Sequence, residues 1–158
     1  MRSIHYVVGD ATDPGGSGNK VIAHICNDIG GWGKGFVTAI SKRWKQPEQA
    51  YRDWYKSKQN FLLGECQFIQ VTEDTWVANM IAQRDIRYDK IGNPPIRYDA
   101  LSKSLKSLGN FSIEINASVH MPRIGCGLAG GSWDEIEPII QQQLSSKSIE
   151  VFVYDFQP

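Results

Sequence analysis

The chain has 158 residues, of which 41% are hydrophobic and 22% are charged, a composition typical of a folded globular domain. The 17 Lys and Arg residues balance the 17 Asp and Glu residues, so the formal net charge is zero. This balance argues against a general nucleic-acid binder, which needs an excess of positive charge to neutralise phosphates. It does not argue against a small anionic ligand, because backbone N–H groups bind one without cationic side chains.

The three cysteines, Cys26, Cys66 and Cys126, are odd in number, widely spaced and without metal-ligand spacing. They predict neither a disulfide framework nor a metal site, and we expect no cofactor. The first residues lack an apolar signal core, and no run approaches the roughly 18 apolar residues of a membrane span. We therefore expect a cytoplasmic protein that has no membrane partner. The sequence does not indicate an oligomeric state.

The first half of the chain predicts strands that end in loops and lead into helices. Two apolar runs, Ile4–Val8 and Val21–Ile25, are typical of buried strands. A glycine-rich stretch, residues 30–35 (the first glycine loop), follows the second run. Apolar residues then recur at helical spacing over residues 36–44. Pro47 is typical of the first turn of a second helix.

The middle of the chain continues the alternation. Strands are predicted at Gln67–Val71 and Trp76–Ile81, with a polar turn between them. The segment Gln83–Pro95 (the polar loop) has no periodicity and contains Gly-Asn-Pro-Pro, which predicts the longest loop. Leucines at positions 101, 105 and 108 restore the helical period.

The last part of the chain predicts two strands around a loop and a helix. Val119–Met121 is a short apolar run that leads into residues 125–131 (the second glycine loop). Ser132 and Glu135 then form an S-x-x-E capping box, which predicts the start of a helix. Glu150–Tyr154 is the closing strand. Strands that alternate with helices predict a largely parallel sheet with helices on both faces, in one domain over residues 1–158.

Both glycine loops follow a predicted strand and precede a predicted helix. In a parallel sheet they lie at the carboxyl ends of strands, where ligands bind in open α/β folds. Glycine lets the backbone approach a ligand, and the following helix N-terminus attracts phosphate. Two such loops suit a diphosphate, while the alternative is that the glycines only form tight turns. Neither loop matches G-x-G-x-x-G or G-x-x-x-x-G-K-[ST].

Five motifs together resemble a macro domain, a module that binds ADP-ribose. In chain order they are Gly9-Asp10, His24-Ile25-Cys26-Asn27, Gly31-Trp32-Gly33-Lys34-Gly35-Phe36, Met121-Pro122-Arg123-Ile124-Gly125-Cys126-Gly127-Leu128 and Val153-Tyr154-Asp155-Phe156. The similarity covers nearly the whole chain and is closest to the branch with the yeast-type ADP-ribose 1''-phosphate phosphatase and the terminal ADP-ribose protein glycohydrolase. It implies a three-layer α/β/α sandwich with a mixed, largely parallel central sheet.

The resemblance also implies which residues contact ADP-ribose or a derivative. Asp10, followed by Ala11, accepts a hydrogen bond from the adenine amino group, and its alternative role is in a turn or cap. Phe156 packs on adenine or, alternatively, covers the core. Asn27 bonds the distal ribose or only forms a turn. The remaining contacts come from the two glycine loops and the last strand: Gly31, Trp32, Gly33, Lys34, Gly35, Phe36, Gly125, Cys126, Gly127, Leu128, Ala129 and Tyr154.

His24 is the candidate catalytic residue. It matches the histidine in the His-x-Cys-Asn motif of the phosphatase-like branch, and an imidazole pKa near 6.5 suits proton transfer at neutral pH. The alternative is a hydrogen-bonded residue at a strand end. Other hydrolases of the family place an acid in the first glycine loop, or a lysine and an aspartate later in the chain. Here those places hold Trp32-Gly33-Lys34, Gln83 or Arg84, and Ala129.

Other reactive side chains have both a functional and an ordinary interpretation. Cys26 and Cys126 suggest a nucleophile, but small cysteines packed beside glycines without a cationic neighbour are more typical of a core. Lys34 either reaches a phosphate or is a solvated loop residue. Three acids in or near the polar loop are candidates to approach the distal ribose: Asp85, Asp89 and Asp99.

The sequence therefore predicts a protein that binds ADP-ribose or a derivative and hydrolyses a group at the distal ribose. The substrate is ADP-ribose 1''-phosphate or an ADP-ribosylated protein or nucleic-acid end. The alternative is a non-catalytic reader of ADP-ribose, supported by Gly33 and Ala129 where relatives carry acids. A third interpretation is an α/β enzyme for another nucleotide metabolite, without the adenine contact of Asp10.

Overall fold

A computed structural model describes residues 3–156, in which a six-stranded sheet has helices on both faces. This confirms the predicted three-layer α/β/α sandwich. The elements in chain order are β1 (His5–Val8), β2 (Asn19–Asn27), α1 (Phe36–Arg43), α2 (Gln46–Ser57), β3 (Cys66–Gln70), β4 (Thr75–Gln83), α3 (Tyr98–Glu114), β5 (Ala117–Pro122), α4 (Trp133–Gln143), a 3₁₀ turn (Ser145–Lys147) and β6 (Val151–Asp155).

The strand order in the sheet is β1-β6-β5-β2-β4-β3. The pairs β1–β6, β6–β5, β5–β2 and β2–β4 are parallel, and β3 pairs with β4 in the antiparallel direction. A four-residue connection joins β3 to β4, which is too short for the crossover that parallel strands need. The sheet is therefore mixed and largely parallel, as predicted.

The central strand β2 is buried on both faces. Val21 and Ala23 pack into the core beneath α3 and α4, whereas Ile22 packs into the core beneath α1 and α2. Because helices cover both sides, the strand is almost continuously apolar rather than alternating. The carboxyl ends of β1, β6, β5 and β2 meet at one edge, and this edge carries both glycine loops.

Polar residues extend β2 beyond the apolar run that predicted it. Lys20 is buried within the strand, and its Nζ donates to the Gly18 carbonyl at 3.1 Å and lies 3.5 Å from the Asp74 carboxylate. These partners satisfy a charge that would otherwise oppose burial. Among residues 3–156 the structure contains no helix long and apolar enough to cross a membrane.

The S-x-x-E motif marks the start of α4, as predicted, but Ser132 does not form the side-chain hydrogen bond of a capping box. Ser132 is the N-cap of α4, and its backbone carbonyl accepts from the N–H groups of Glu135 and Ile136 at 3.0 Å. Within the described part of the chain, the Ser132 hydroxyl makes no cap hydrogen bond. The Ser132 N–H instead donates to the Tyr98 hydroxyl at 3.1 Å, which ties this helix start to α3.

Candidate functional site

A cleft of about 670 Å³ opens at the carboxyl ends of β1, β5 and β6, alongside α1. This volume lies within the range of small-molecule sites. The loop after β1, one side of α1 and the ends of β5 and β6 supply its walls. The lining residues are Gly9, Asp10, Ala11, Thr12, Gly35, Phe36, Thr38, Ala39, Lys42, Arg43, Pro122, Tyr154 and Phe156.

Six of the residues that were predicted to contact ligand line this cleft: Asp10, Ala11, Gly35, Phe36, Tyr154 and Phe156. Phe156 is 68% exposed, so its ring is open to the cleft and does not cover the core. Ala11 is buried in the floor. The structure thus brings the first and last motifs of the sequence, about 145 residues apart, into one concave surface.

Asp10 shapes its loop and also keeps one carboxylate oxygen toward the cleft. Its Oδ1 accepts from the Thr12 N–H at 2.8 Å and from the Thr12 hydroxyl at 2.7 Å. Its Oδ2 lies 3.6 Å from Nη2 of Arg43, whose Nε donates to the Thr12 hydroxyl at 2.8 Å. Burial alone would raise the pKa of Asp10, but the Thr12 hydrogen bonds and the Arg43 charge together lower it. The group is therefore an ionised acceptor at neutral pH.

Tyr154 is held in the cleft by hydrogen bonds that run from its hydroxyl through His120 to Ser118. Its hydroxyl lies 2.8 Å from Nδ1 of His120, and Nε2 of His120 lies 2.8 Å from the Ser118 hydroxyl. Burial, with a smaller effect of Lys20, lowers the pKa of His120 to about 4, so the ring is neutral at pH 7. The Ser118 hydroxyl donates to the Asn19 carbonyl at 3.5 Å, so it accepts from His120 Nε2, and Nδ1 of the neutral ring accepts from the tyrosine. The tyrosine ring also lies against Gly9, where a Cβ would be 3.5 Å away.

Asn27 holds the start of the first glycine loop. Its Oδ1 accepts from the N–H groups of Ile29 and Gly31 at 3.1 and 2.9 Å, and its Nδ2 donates to the Gly31 carbonyl at 3.0 Å. The Tyr51 hydroxyl donates to the Asn27 carbonyl at 2.6 Å. With 9% of its surface exposed, the Asn27 side chain is engaged in forming the loop. The turn-forming alternative therefore describes its position.

Trp32 joins the first glycine loop to α1 and α2. Its Nε1 donates to the Ser41 hydroxyl at 2.8 Å, and Ser41 donates to Glu48 at 3.0 Å. Arg52 completes the set by bonding Glu48 at 2.9 Å and the loop carbonyl of Gly30 at 3.4 Å. The Trp32 ring is 7% exposed and packs in the core against Tyr51, so the predicted contact of Trp32 with the ligand stays a prediction for its backbone.

The hydrogen bonds around His24 determine its tautomer. Nδ2 of Asn79 donates to the Pro47 carbonyl and to Gln67 Oε1, both at 3.1 Å, so Asn79 Oδ1 is an acceptor. His24 Nε2, which contacts that oxygen, must therefore carry the proton. His24 Nδ1 is left as a buried lone pair that has no hydrogen-bond partner in residues 3–156.

The burial of His24 does not fit the predicted catalytic role. The side chain is 2% exposed, and the rings of Trp32 and Phe36 pack around it with centroids 5.3 and 6.1 Å away. Burial lowers the pKa of His24 to about 4, although the Asn79 hydrogen bond partly opposes this. A residue sealed beneath two aromatic rings does not reach a substrate. The alternative of a hydrogen-bonded residue in the strand is the one that the geometry supports.

The cysteines also lack the environment of a nucleophile. Cys26 is buried, and burial raises the pKa of its thiol well above the usual value. Burial likewise raises the pKa of Cys126, whose Sγ lies 3.7 Å from the Ile124 carbonyl. Thiols with raised pKa values are mostly protonated at pH 7 and are weak nucleophiles. The core interpretation of these residues fits the structure.

The second glycine loop lies at the far end of the site, beyond the cleft. Leu128 is 66% exposed and approaches Gly35, where a Cβ would be 4.0 Å from its Cδ1, so the two glycine loops meet there. Ala129 is buried, and its carbonyl accepts from the Ile96 N–H at 3.0 Å. Gly127 faces open space, with none of the described residues within 4 Å of a Cβ placed there.

Several predicted contacts therefore lie outside the cleft that the structure defines. They fall into a buried or loop-forming group beside β2 and an exposed group around the meeting point of the two loops. The residues are Asn27, Gly31, Trp32, Gly33, Lys34, Gly125, Cys126, Gly127, Leu128 and Ala129. Lys34 and Gly33 are exposed on the first glycine loop, next to the residues that begin α1.

Asp28, directly after β2, is an acidic residue that was not predicted as part of the site. Its Oδ1 accepts from the Asp85 N–H at 2.7 Å, which joins the first glycine loop to the polar loop. Asp89 instead binds within the polar loop, where the hydrogen bonds from Asn93 lower its pKa. Residues 3–156 contain no cluster of His, Cys, Asp and Glu that could hold a metal ion.

The sequence analysis also missed the side of α1 that faces the cleft. Thr38, Ala39, Lys42 and Arg43 follow the i, i+1, i+4, i+5 spacing of one helix side, opposite the buried Ile40. That spacing was readable from the helical period. The remaining missed lining residues come from the loop after β1 and the end of β5: Gly9, Thr12 and Pro122.

Two solved structures resemble the chain over nearly their whole length. A protein of unknown function from Bacteroides thetaiotaomicron is 60% identical, with a TM-score of 0.97 and coverage of 98% of each chain. A macrodomain protein from Streptomyces coelicolor is 49% identical, with a TM-score of 0.87, and the match covers 97% of this chain and 99% of that one. No protein-family model matches the sequence.

Two of the curated proteins that match the chain differ in how much of their own length the match covers. The mouse chromodomain-helicase-DNA-binding protein 1-like is 30% identical over 98% of this chain, which spans only 18% of that protein. The ADP-ribose 1''-phosphate phosphatase of Lodderomyces elongisporus is 26% identical, and the match covers 97% of this chain and 99% of the phosphatase. The second match therefore extends from end to end in both proteins.

Proposed function

Since the chain belongs to the macrodomain family, we propose that it binds ADP-ribose or a derivative, with the adenosine end in the cleft beside α1. The observation that carries this proposal is the joint position of Asp10 and Phe156 on one cleft. An ionised carboxylate accepts the adenine amino group, and an exposed aromatic ring stacks on the base. Together they favour a base that carries an exocyclic amino group, as adenine does.

The rest of the ligand follows the wall of the cleft. Gly35 and Phe36 begin α1, whose free N–H groups and partial positive charge favour a diphosphate. The distal ribose then reaches the meeting point of the two glycine loops, where Leu128 approaches Gly35. Contacts from Gly127 and Lys34 to that part of the ligand belong to the same proposal.

Hydrolysis at the distal ribose is the second candidate function. The observation that favours it is the end-to-end match with the fungal phosphatase. Because His24 is sealed in the core, we assign the proton transfer to Asp28, which directly follows β2 and whose carboxylate accepts a hydrogen bond from the Asp85 backbone N–H. Substrates of this kind include ADP-ribose 1''-phosphate and ADP-ribosylated protein or nucleic-acid ends. Without turnover the protein is a reader of ADP-ribose.

We also place the protein in the cytoplasm. Its three cysteines are all free thiols, which a reducing compartment maintains.

Calorimetry with ADP-ribose tests the binding proposal. Wild-type protein is expected to bind, and Asp10→Ala to lose about 1.5–3 kcal/mol of binding free energy, as for a hydrogen bond to a charged group. Asp13→Ala is the matched control, because Asp13 is an exposed acid in the same loop that does not line the cleft. Equal affinities for the two variants, with folding intact by circular dichroism, contradict the assignment.

Incubation with ADP-ribose 1''-phosphate and with an ADP-ribosylated peptide tests hydrolysis. Asp28→Asn keeps an oxygen that accepts from Asp85 but removes the carboxylate. We expect it to lower turnover about 10²–10⁴-fold while ADP-ribose affinity changes little. Absence of turnover in the wild-type protein establishes the reader function instead. Full activity of Asp28→Asn rules out that residue as the acid or base.

A further inference from the structure

One charged residue that lines the cleft has no role in the proposed contacts to adenosine. Three charged side chains line it, and two of them, Asp10 and Arg43, interact with each other and with Thr12. The third, Lys42, makes no ion pair or hydrogen bond with any residue in the range 3–156. The lining thus has one positive charge more than it has negative charges, and the unpaired charge is exposed to solvent.

Lys42 is attached to α1 well past the part of the cleft that suits a diphosphate. It is six residues after Phe36, the first residue of α1, so at about 1.5 Å per residue it is about 9 Å along the helix axis. Thr38 lines the cleft one turn before it, which shows that this side of the helix faces the cleft over its whole length. The helix N-terminus and Lys42 are therefore two separate positions that favour an anionic group.

ADP-ribose itself has no anionic group for the second position. Its negative charges are on the diphosphate, whereas adenine and the adenosine ribose are neutral at pH 7. We propose that the cleft accepts adenosine ligands that carry an additional phosphate on the 2′ or 3′ hydroxyl of the adenosine ribose, and that Lys42 binds this phosphate. The inference rests on the proposed function, because it uses the same orientation of adenosine between Asp10 and Phe156.

The surroundings of Lys42 suit a phosphate monoester. An ammonium group is a compact charge with three donors, and it forms charge-assisted hydrogen bonds to phosphate oxygens. Arg43 is the next residue and adds positive potential, although its donors are directed to Thr12 and Asp10. Because Lys42 is exposed, water and salt screen its ion pair with the phosphate, which limits the expected gain in affinity.

The test compares ADP-ribose with ADP-ribose that carries a 2′-phosphate or a 3′-phosphate on the adenosine ribose. Affinities are measured by calorimetry at low and high salt for the wild-type protein, Lys42→Met and Lys45→Met. Lys45 is the matched control, because it is an exposed lysine just past α1 that does not line the cleft. Thermal unfolding of each variant establishes that it is folded.

For the wild-type protein we expect at least one phosphorylated ligand to bind about three- to tenfold more tightly than ADP-ribose, with a smaller ratio at high salt. Lys42→Met should reduce the ratio to about one, and Lys45→Met should keep it. The inference is overturned if neither phosphate improves binding, or if Lys42→Met weakens all the ligands equally, which would place Lys42 on the diphosphate. Failure of the wild-type protein to bind ADP-ribose would instead overturn the proposed function.

Discussion

The two glycine loops have similar sequences but are held in shape by different forces. Side chains hold the first loop, through Asn27, Trp32 and Arg52. Backbone groups hold the second, where the N–H of Gly131 donates to the Gly125 carbonyl at 2.7 Å. The first loop therefore depends on polar side chains outside its glycines, whereas the second depends on the absence of side chains at its glycines.

Substitution of Gly131 should produce the largest effect. A Cβ there would lie 2.5 Å from the Gly125 carbonyl oxygen, a backbone atom that cannot rotate away, and 3.0 Å from Ile96. Gly131→Ala is expected to lower the free energy of unfolding by about 3 kcal/mol, measured by urea denaturation. Gly127→Ala should change it by less than about 0.5 kcal/mol, since a Cβ there meets nothing in the described chain within 4 Å. Equal stability of the two variants would contradict the conclusion that backbone contacts hold the second glycine loop in shape.

Removal of the Asn27 side chain tests the first loop. Asn27→Ala leaves the partly buried N–H of Gly31 without its acceptor, and should lower the free energy of unfolding by about 2–3 kcal/mol. Asn93→Ala is the control, because Asn93 makes its hydrogen bonds in the exposed polar loop. ADP-ribose affinity should fall for the first variant only. Comparable losses in both variants would show that the loop does not depend on Asn27.

Acid should lower the free energy of unfolding through His24, whose ring packs against Trp32 of the first glycine loop. The pKa of His24 is about 4 in the folded protein and about 6.5 when unfolded, so the unfolded chain binds more protons between these values. The contribution of His24 to stability is therefore complete well above pH 6.5 and is lost as the pH falls toward 4, by about 2.5 kcal/mol at pH 4.5. Urea denaturation of His24→Gln over this range should give a flatter profile than the wild type. Parallel profiles would assign the acid sensitivity elsewhere.

The smallest effect is expected at Trp32. Trp32→Phe keeps most of the aromatic packing but removes the hydrogen bond to Ser41, and should cost about 1 kcal/mol in the free energy of unfolding. Trp54→Phe removes a similar indole bond, to the Gln59 carbonyl at 2.8 Å, in an exposed region away from the loop. Only the first variant should also weaken ADP-ribose binding. Loss of affinity in both would point to a general effect of indole removal.

The sequence predicted the central strands well because they are buried on both faces, whereas β1, which was predicted to be buried, is an edge strand whose residues are mostly exposed. Continuous apolar runs such as Val21–Ile25 mark a parallel strand between two helical layers. The ends of the strands were less predictable, since Lys20 lies inside β2 only because Asp74, 54 residues later, supplies a partner. Local patterns do not contain such long-range pairs.

For the candidate site, the order of the motifs was more informative than the chemistry of single residues. Asp10 and Phe156 were expected at the ligand, and both line the cleft. His24 was expected to act as an acid or base, but its environment depends on how Trp32 and Phe36 fold over it. The ordinary pKa of a side chain gives no information about its burial, which only the tertiary structure determines.

The position of β6 between β1 and β5 has a consequence for how the protein forms during synthesis. Among the strands of residues 3–156, β1 forms hydrogen bonds with β6 alone. It therefore cannot join the sheet until β6 has been synthesised. The N–H of Gly9 then bonds the Asp155 carbonyl at 3.0 Å, and this joins the two sides of the cleft. The half of the sheet that contains β2, β4 and β3 is complete much earlier. The pairing of β1 with β6, which completes the cleft, thus forms only after the β2, β4 and β3 part of the sheet has been synthesised.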